Sequence, residues 1–171
     1  MNLNEEQRDA LAELVNIGFG RAAASLSILI GQKIELHAPE VRLFHPNELK
    51  PALGSLISNQ SVIVHQTFTG SLRGSVFLLM DMKSATSLVD LLSGGTGDSH
   101  RFSASDREAM IEIGNILLNA YIGSFGNLLK VQIRFSVPQL VMDSFETTLQ
   151  EFSLDPKTIQ RNRNNQESML Q

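Results

Sequence analysis

Six polar residues in this chain form two copies of one pattern: Asp9, Glu13 and Asn16, then Glu108, Glu112 and Asn115. Sliding the sequence along itself by 99 positions, without a gap, lays each residue of the first set on its partner in the second. Asn4 then falls on Ser103, Ile17 on Ile116, Ile34 on Ile133 and Pro39 on Pro138. A carboxamide is too weak a base to take a proton from water. It can hold and orient a water by hydrogen bonds. A single Glu-x-x-Asn would read as an ordinary solvated helix surface. Its duplication in register, at a residue type that disfavours helix interiors, singles it out.

The pattern must be carried by helices. At 100° per residue, Asp9, Glu13 and Asn16 fall within about 60° of one another. Leu11, Leu14, Val15, Gly18, Ala22, Leu26 and Leu29 cluster on the opposite side. In the second copy Glu108, Glu112 and Asn115 oppose Met110, Ile113, Gly114, Leu117, Tyr121 and Leu128. The acid-and-amide faces are therefore expected to meet solvent while the apolar faces pack. Asn4 can cap the first helix with Gln7 as reciprocal partner, and Gly31 ends it after Ile30. The second helix starts at Ser103 or Ser105 and runs to about Leu129.

Between and after the helices the pattern changes. Lys33 to Val41 reads as a strand bending at Pro39, and 42–58 as irregular chain or a short helix. Ser61–Phe68 and Leu72–Met80 form a hairpin turning at Thr69-Gly70-Ser71, with Val62, Val64, Gln66 and Phe68 on one face. Lys83–Ser93 is a helix with Leu88, Leu91 and Leu92 as its stripe, and 94–98 joins the halves. Val131–Met142 repeats the strand with its proline, and Phe145–Phe152 is a candidate short helix. The fold class is α+β: a pseudo-two-fold repeat of a long helix followed by antiparallel strands, two long helices packed on a sheet. Residues 1–155 form a single domain, with halves at about 1–95 and 101–155, and 156–171 are a polar tail, open to disorder. The second half lacks a counterpart of the hairpin. That leaves an exposed sheet edge and a tendency to pair with a second copy of the chain.

The spaced pattern Asp/Ser-x-x-x-Glu-x-x-Asn, with proline 23 residues after the asparagine, resembles the signature of the CheC, CheX and FliY phosphatases of chemotaxis, and is nearest to CheC. The phrases Glu-Leu-Val-Asn-Ile-Gly and Glu-Ile-Gly-Asn-Ile-Leu strengthen the likeness, which covers about residues 1–140. Glu108 departs from it mildly, where the family usually has Asp or Ser. The resemblance implies hydrolysis of the aspartyl phosphate of a CheY-like response regulator. On that reading Asn16 and Asn115 place water in the partner's site, Glu13 and Glu112 anchor the helices on the regulator's lysine, and Asp9 and Glu108 extend the docking face. It implies no cofactor of the chain's own, with Mg²⁺ carried by the regulator. A second implication is a non-catalytic binding role, as a scaffold for the deamidase CheD or at the flagellar switch.

Bulk properties agree with a soluble domain. The chain has 171 residues, 42% hydrophobic and 19% charged, with a net charge of −4. That balance offers no basic field for nucleic acid. It has no cysteine, which excludes disulfides and thiolate metal sites and suits a reducing cytoplasm. His37, His45, His65 and His100 show no metal-ligand spacing. Gly18-Phe19-Gly20 imitates a dinucleotide loop but lies inside a helix, and the 94–98 glycines lack a following Gly-Lys-Ser/Thr. The apolar run at 22–30 is too short for a bilayer, so no membrane insertion is expected.

Overall fold

The two long helices are delimited by the caps their sequences call for. The computed structural model describes residues 3–34, 41–44, 48, 51–52, 61–93, 102–144 and 147–148. Helix α1 spans Glu5–Ile30. Asn4 accepts from the Gln7 backbone N–H at 2.8 Å and the Gln7 side chain accepts from the Asn4 N–H at 3.1 Å, a closed capping box. At the other end Gly31 takes a left-handed φ of 72° and donates to the Ser27 carbonyl.

Strands β1 (Ser61–Gly70) and β2 (Gly74–Asp81) make an antiparallel hairpin. Helix α2 (Met82–Ser93) follows directly, with the Asp81 carboxylate accepting from the Ser84 N–H at 2.7 Å. Hydrogen bonds from the Ser84 backbone and side chain hold the Asp81 carboxyl below its usual range. Helix α3 spans Ala104–Leu129, opened by a capping box between Ser103 and Asp106. Strands β3 (Ile133–Phe135) and β4 (Gln139–Asp143) then both pair antiparallel with β1, on the edge away from β2.

β3 and β4 are one strand broken by a bulge. β1 advances from His65 to Phe68 while the paired chain runs from Gln139 back to Phe135, so three steps on one side face four on the other. The extra residue falls in Ser136-Val137-Pro138, where Pro138 has no N–H to give the ladder. Ser136 repairs the gap: its N–H donates to the Thr67 carbonyl at 2.9 Å and its Oγ accepts from the Thr67 N–H at 3.0 Å.

Residues 61–66 of β1 are buried on both faces of the sheet, so its alternation is hidden on that stretch. Val62 and Val64 join Leu26, Ala85, Val89, Met110, Ile113 and Leu118 in the core. Val15, Gly18, Ala22 and Leu26 are the buried stripe of α1, as periodicity predicts. α1 packs along α3, with Phe19 meeting Tyr121 edge-on at 5.9 Å between ring centres. Gly114 brings α3 down on β1: a Cβ there would lie 2.6 Å from Val64 Cγ1.

Several expectations need correction. The hairpin turns at 71–73, two residues later than expected, because Gly70 remains in β1. Gly70 has φ 132° and lies against the Gln132 backbone, so this glycine serves a close strand approach rather than a turn. The buried residues of α2 are Ala85 and Val89, while Leu91 is exposed. Leu128 is exposed too. By length and composition α1 holds an 18-residue window, of mean hydropathy 1.3, that could span a bilayer, although its apolar stripe is packed on α3 here. The expected strand at 33–41 and helix at 145–152 lie largely outside the described residues, as do the 94–98 join and the tail.

Two stability predictions follow from this packing. Gly114→Ala should cost roughly 1–3 kcal/mol, because the sheet below cannot retreat without repacking. Denaturant melts of the two proteins test it, and equal midpoints would refute the close approach. The second concerns His65, which is 3% exposed and stacked on Phe77 at 4.7 Å. Burial pushes its imidazole down from 6.5 to about 4. Between those values the unfolded chain binds the extra proton, so the neutral imidazole's contribution is complete above 6.5 and is lost as pH falls toward about 4. His65→Phe should flatten that acid limb in melts taken at successive pH values, and an unchanged limb would count against it.

Candidate functional site

The motif residues stand where their helices put them. Asp9, Glu13 and Asn16 are exposed along α1, opposite its buried stripe. Glu108 and Glu112 are exposed along α3. Asn115 is different: it is half-buried, which corrects the expectation that both asparagines meet solvent freely. The shallow groove between α1 and α3, about 370 Å³, is lined by Arg21, Ser25, Asn119 and Asn127 among others, and none of the six motif residues borders it. Among the described residues no three His, Asp or Glu side chains gather as a metal site.

Asn115 is held by neighbours that the sequence pattern does not include. Its Oδ1 accepts from Asn119 Nδ2 at 2.8 Å, one helical turn on, and from Gln66 Nε2 at a longer 3.5 Å. Gln66 is 1% exposed, in β1, on the face that carries Val64 toward α3. The same Nε2 donates to the Ser136 carbonyl at 2.7 Å. That carbonyl belongs to the bulge that precedes Pro138. Ser136, two residues before the proline, and Asn115 are thus joined through two hydrogen bonds of one glutamine.

Among the described residues, the first copy lacks this framing. One turn after Asn16 stands Gly20, exposed and with open space where a Cβ would be. Pro39, the counterpart of Pro138, lies outside the described residues. Sequence reasoning singled out Asn115 but missed Gln66 and Asn119. Asn119 carried a readable signal, an amide four residues from an amide on one helix. Gln66 carried none beyond being a polar residue among valines in a strand.

Chemically, the two surfaces offer carboxylates for a cation and an amide for hydrogen bonding, on helices rather than in a cleft. Such a surface suits a partner that brings its own reacting centre.

A model of the CheC-like family matches residues 6–42, the stretch that holds Asp9, Glu13, Asn16 and Pro39. The chain is 31% identical over 157 residues to the CheY-P phosphatase CheC of Bacillus subtilis, covering 87% of this chain and 72% of that protein. It is 27% identical over 141 residues to the flagellar motor switch phosphatase FliY of the same organism, covering 81% of this chain and 36% of FliY. The crystal structure of Thermotoga maritima FliY superposes with a TM-score of 0.72 at 29% identity, over 85% of this chain and 73% of that one. With the doubled acid-and-amide helix and this extent of identity to CheC, the chain belongs to the CheC-like family.

Proposed function

We propose that this protein hydrolyses the aspartyl phosphate of a CheY-like response regulator in chemotaxis signalling. The observation that carries the reading is the doubled Glu-x-x-Asn, exposed on α1 and presented again on α3, in a chain whose similar proteins include a CheY-P phosphatase. An acyl phosphate is already activated. The missing component is a water held in line with the phosphorus, and a carboxamide reaching into the regulator's site supplies it. The water oxygen bonds to phosphorus as the bond from phosphorus to the aspartyl oxygen breaks. The electron pair leaves on the regulator's carboxylate, and the water's proton leaves with the inorganic phosphate.

Asn16 and Asn115 hold the water, one on each helix. Glu13 and Glu112 dock the helices by pairing with the regulator's lysine, and Asp9 and Glu108 extend that contact by one turn. Mg²⁺, in this reading, stays with the regulator and neutralises the phosphoryl oxygens there. The setting is the cytoplasm, where such regulators work.

A second reading is favoured by one observation. The Asn115 acceptor is already committed within the protein, so the second face could dock a partner such as CheD or a component of the flagellar switch without turnover.

The expected outcome is stepwise. Asn16→Ala and Asn115→Ala should each remove part of the acceleration of regulator dephosphorylation, and the double variant should lose on the order of a hundredfold in kcat/KM. The decay of a phosphorylated CheY-type regulator measures this, and an unimpaired double variant would sink the proposal. Glu13→Gln with Glu112→Gln should mainly raise KM, by about fivefold for a contact worth roughly 1 kcal/mol. A change confined to kcat would contradict the docking role.

A further inference from the structure

The functional reading asks only that an amide be present at position 115. The structure adds which end of that amide a partner meets. A backbone carbonyl can only accept, so the Gln66 atom 2.7 Å from the Ser136 oxygen must be the donor, Nε2. Nε2 has two hydrogens and nothing to accept with. The Asn115 atom that faces it must therefore be the acceptor, Oδ1. The Asn119 atom 2.8 Å from that same Oδ1 must in turn be a donor, Nδ2. The carbonyl orients Gln66, and the Gln66 contact at 3.5 Å and the Asn119 contact at 2.8 Å both meet Asn115 Oδ1, an arrangement that leaves Gln66 Oε1 and Asn119 Oδ1 buried without a partner.

The carbonyl is available because of the bulge. Ser136 sits at the break between β3 and β4, where its N–H and Oγ serve Thr67 and its carbonyl serves Gln66. Gly114 completes the geometry. It lets α3 close on Val64, two residues before Gln66 in β1, and the next residue of α3 is Asn115.

We propose that Gln66 and Asn119 are positioning residues for Asn115: they hold its Oδ1 inside the protein and leave its NH₂ as the group presented to the phosphoryl centre of a docked regulator. The inference rests on Asn115 being a water-holding amide of the proposed reaction. Its consequence is that the two sites differ in kind. Asn115 arrives with its donors aimed and its rotation already restricted. Asn16, with Gly20 one turn on, has no such hydrogen bond among the described residues and must be ordered when the partner docks.

Side-chain amide relaxation of ¹⁵N-labelled full-length protein tests the orientation without any reaction. The Asn115 NH₂ should be markedly more ordered than that of Asn16. Asn119→Ala, and separately Gln66→Met, should loosen Asn115 toward the Asn16 level. Gly20→Asn should tighten Asn16, because the space beside Gly20 is open. Equal order at Asn16 and Asn115, or an Asn115 indifferent to Asn119→Ala, would overturn the proposal.

Kinetics then separate positioning from mere structure. In an Asn16→Ala background, where only the second site acts, Asn119→Ala should lower kcat for regulator dephosphorylation roughly tenfold with KM little changed. Added to the Asn16→Ala, Asn115→Ala double variant, it should do nothing more. A KM effect, or the same loss without Asn115, would show a structural role and refute positioning. Should the wild type fail to accelerate dephosphorylation at all, the functional reading falls, while the relaxation experiment still decides the orientation.

Discussion

The close approach of α3 to β1 is the constraint on which the rest depends. Gly114 lies where any side chain would collide with Val64, so the helix axis settles lower on the sheet there than a Cβ would permit. From that contact the placement of the second motif follows. Asn115, the next residue, comes within reach of Gln66, the next residue on the same face of β1. Met110 and Ile113 fall into the core with Val62 and Val64, and Glu108 and Glu112 are turned to the outside. A helix seated higher would keep the same sequence pattern but lose the contact between the Asn115 amide and Gln66.

The two halves show how one motif can be used under different physical conditions. On α1 the acid-and-amide face belongs wholly to the surface, and the opposite stripe is buried by α3. On α3 the helix is covered from more sides, by α1, by α2 and by the sheet, so its amide is half-buried and takes part in a polar network. Burying amides is costly unless their hydrogen bonds are made. The bulge at Ser136 meets part of that cost by turning a carbonyl toward Gln66. Pro138 then has a local explanation: it cannot contribute to the ladder, and the ladder breaks beside it. The residue that reaches Gln66 is Ser136, two positions before it.

Much was legible in the sequence, and for identifiable reasons. The repeat, the caps at Asn4, Gly31 and Ser103, the buried stripe of α1 and the exposed acids depend on spacing along one helix, which is a local property. The hairpin turn was misplaced because Gly70 looks like a turn residue, although its demand comes from Gln132 on another strand. Leu91 and Leu128 satisfied the apolar period but are exposed, because periodicity along one helix does not report which neighbours cover it.

By itself, then, the sequence determined which residues could hold water and pair with a cation, and that they occur twice on matching helices. Only the tertiary structure decided how each amide is held. The contacts that orient Asn115 join positions 66, 115 and 136, which meet because a glycine admits a helix to a strand and a bulge frees one carbonyl. Periodicity reports the face of a helix. It carries no information about the strand beneath that face or about the direction in which a buried amide must point.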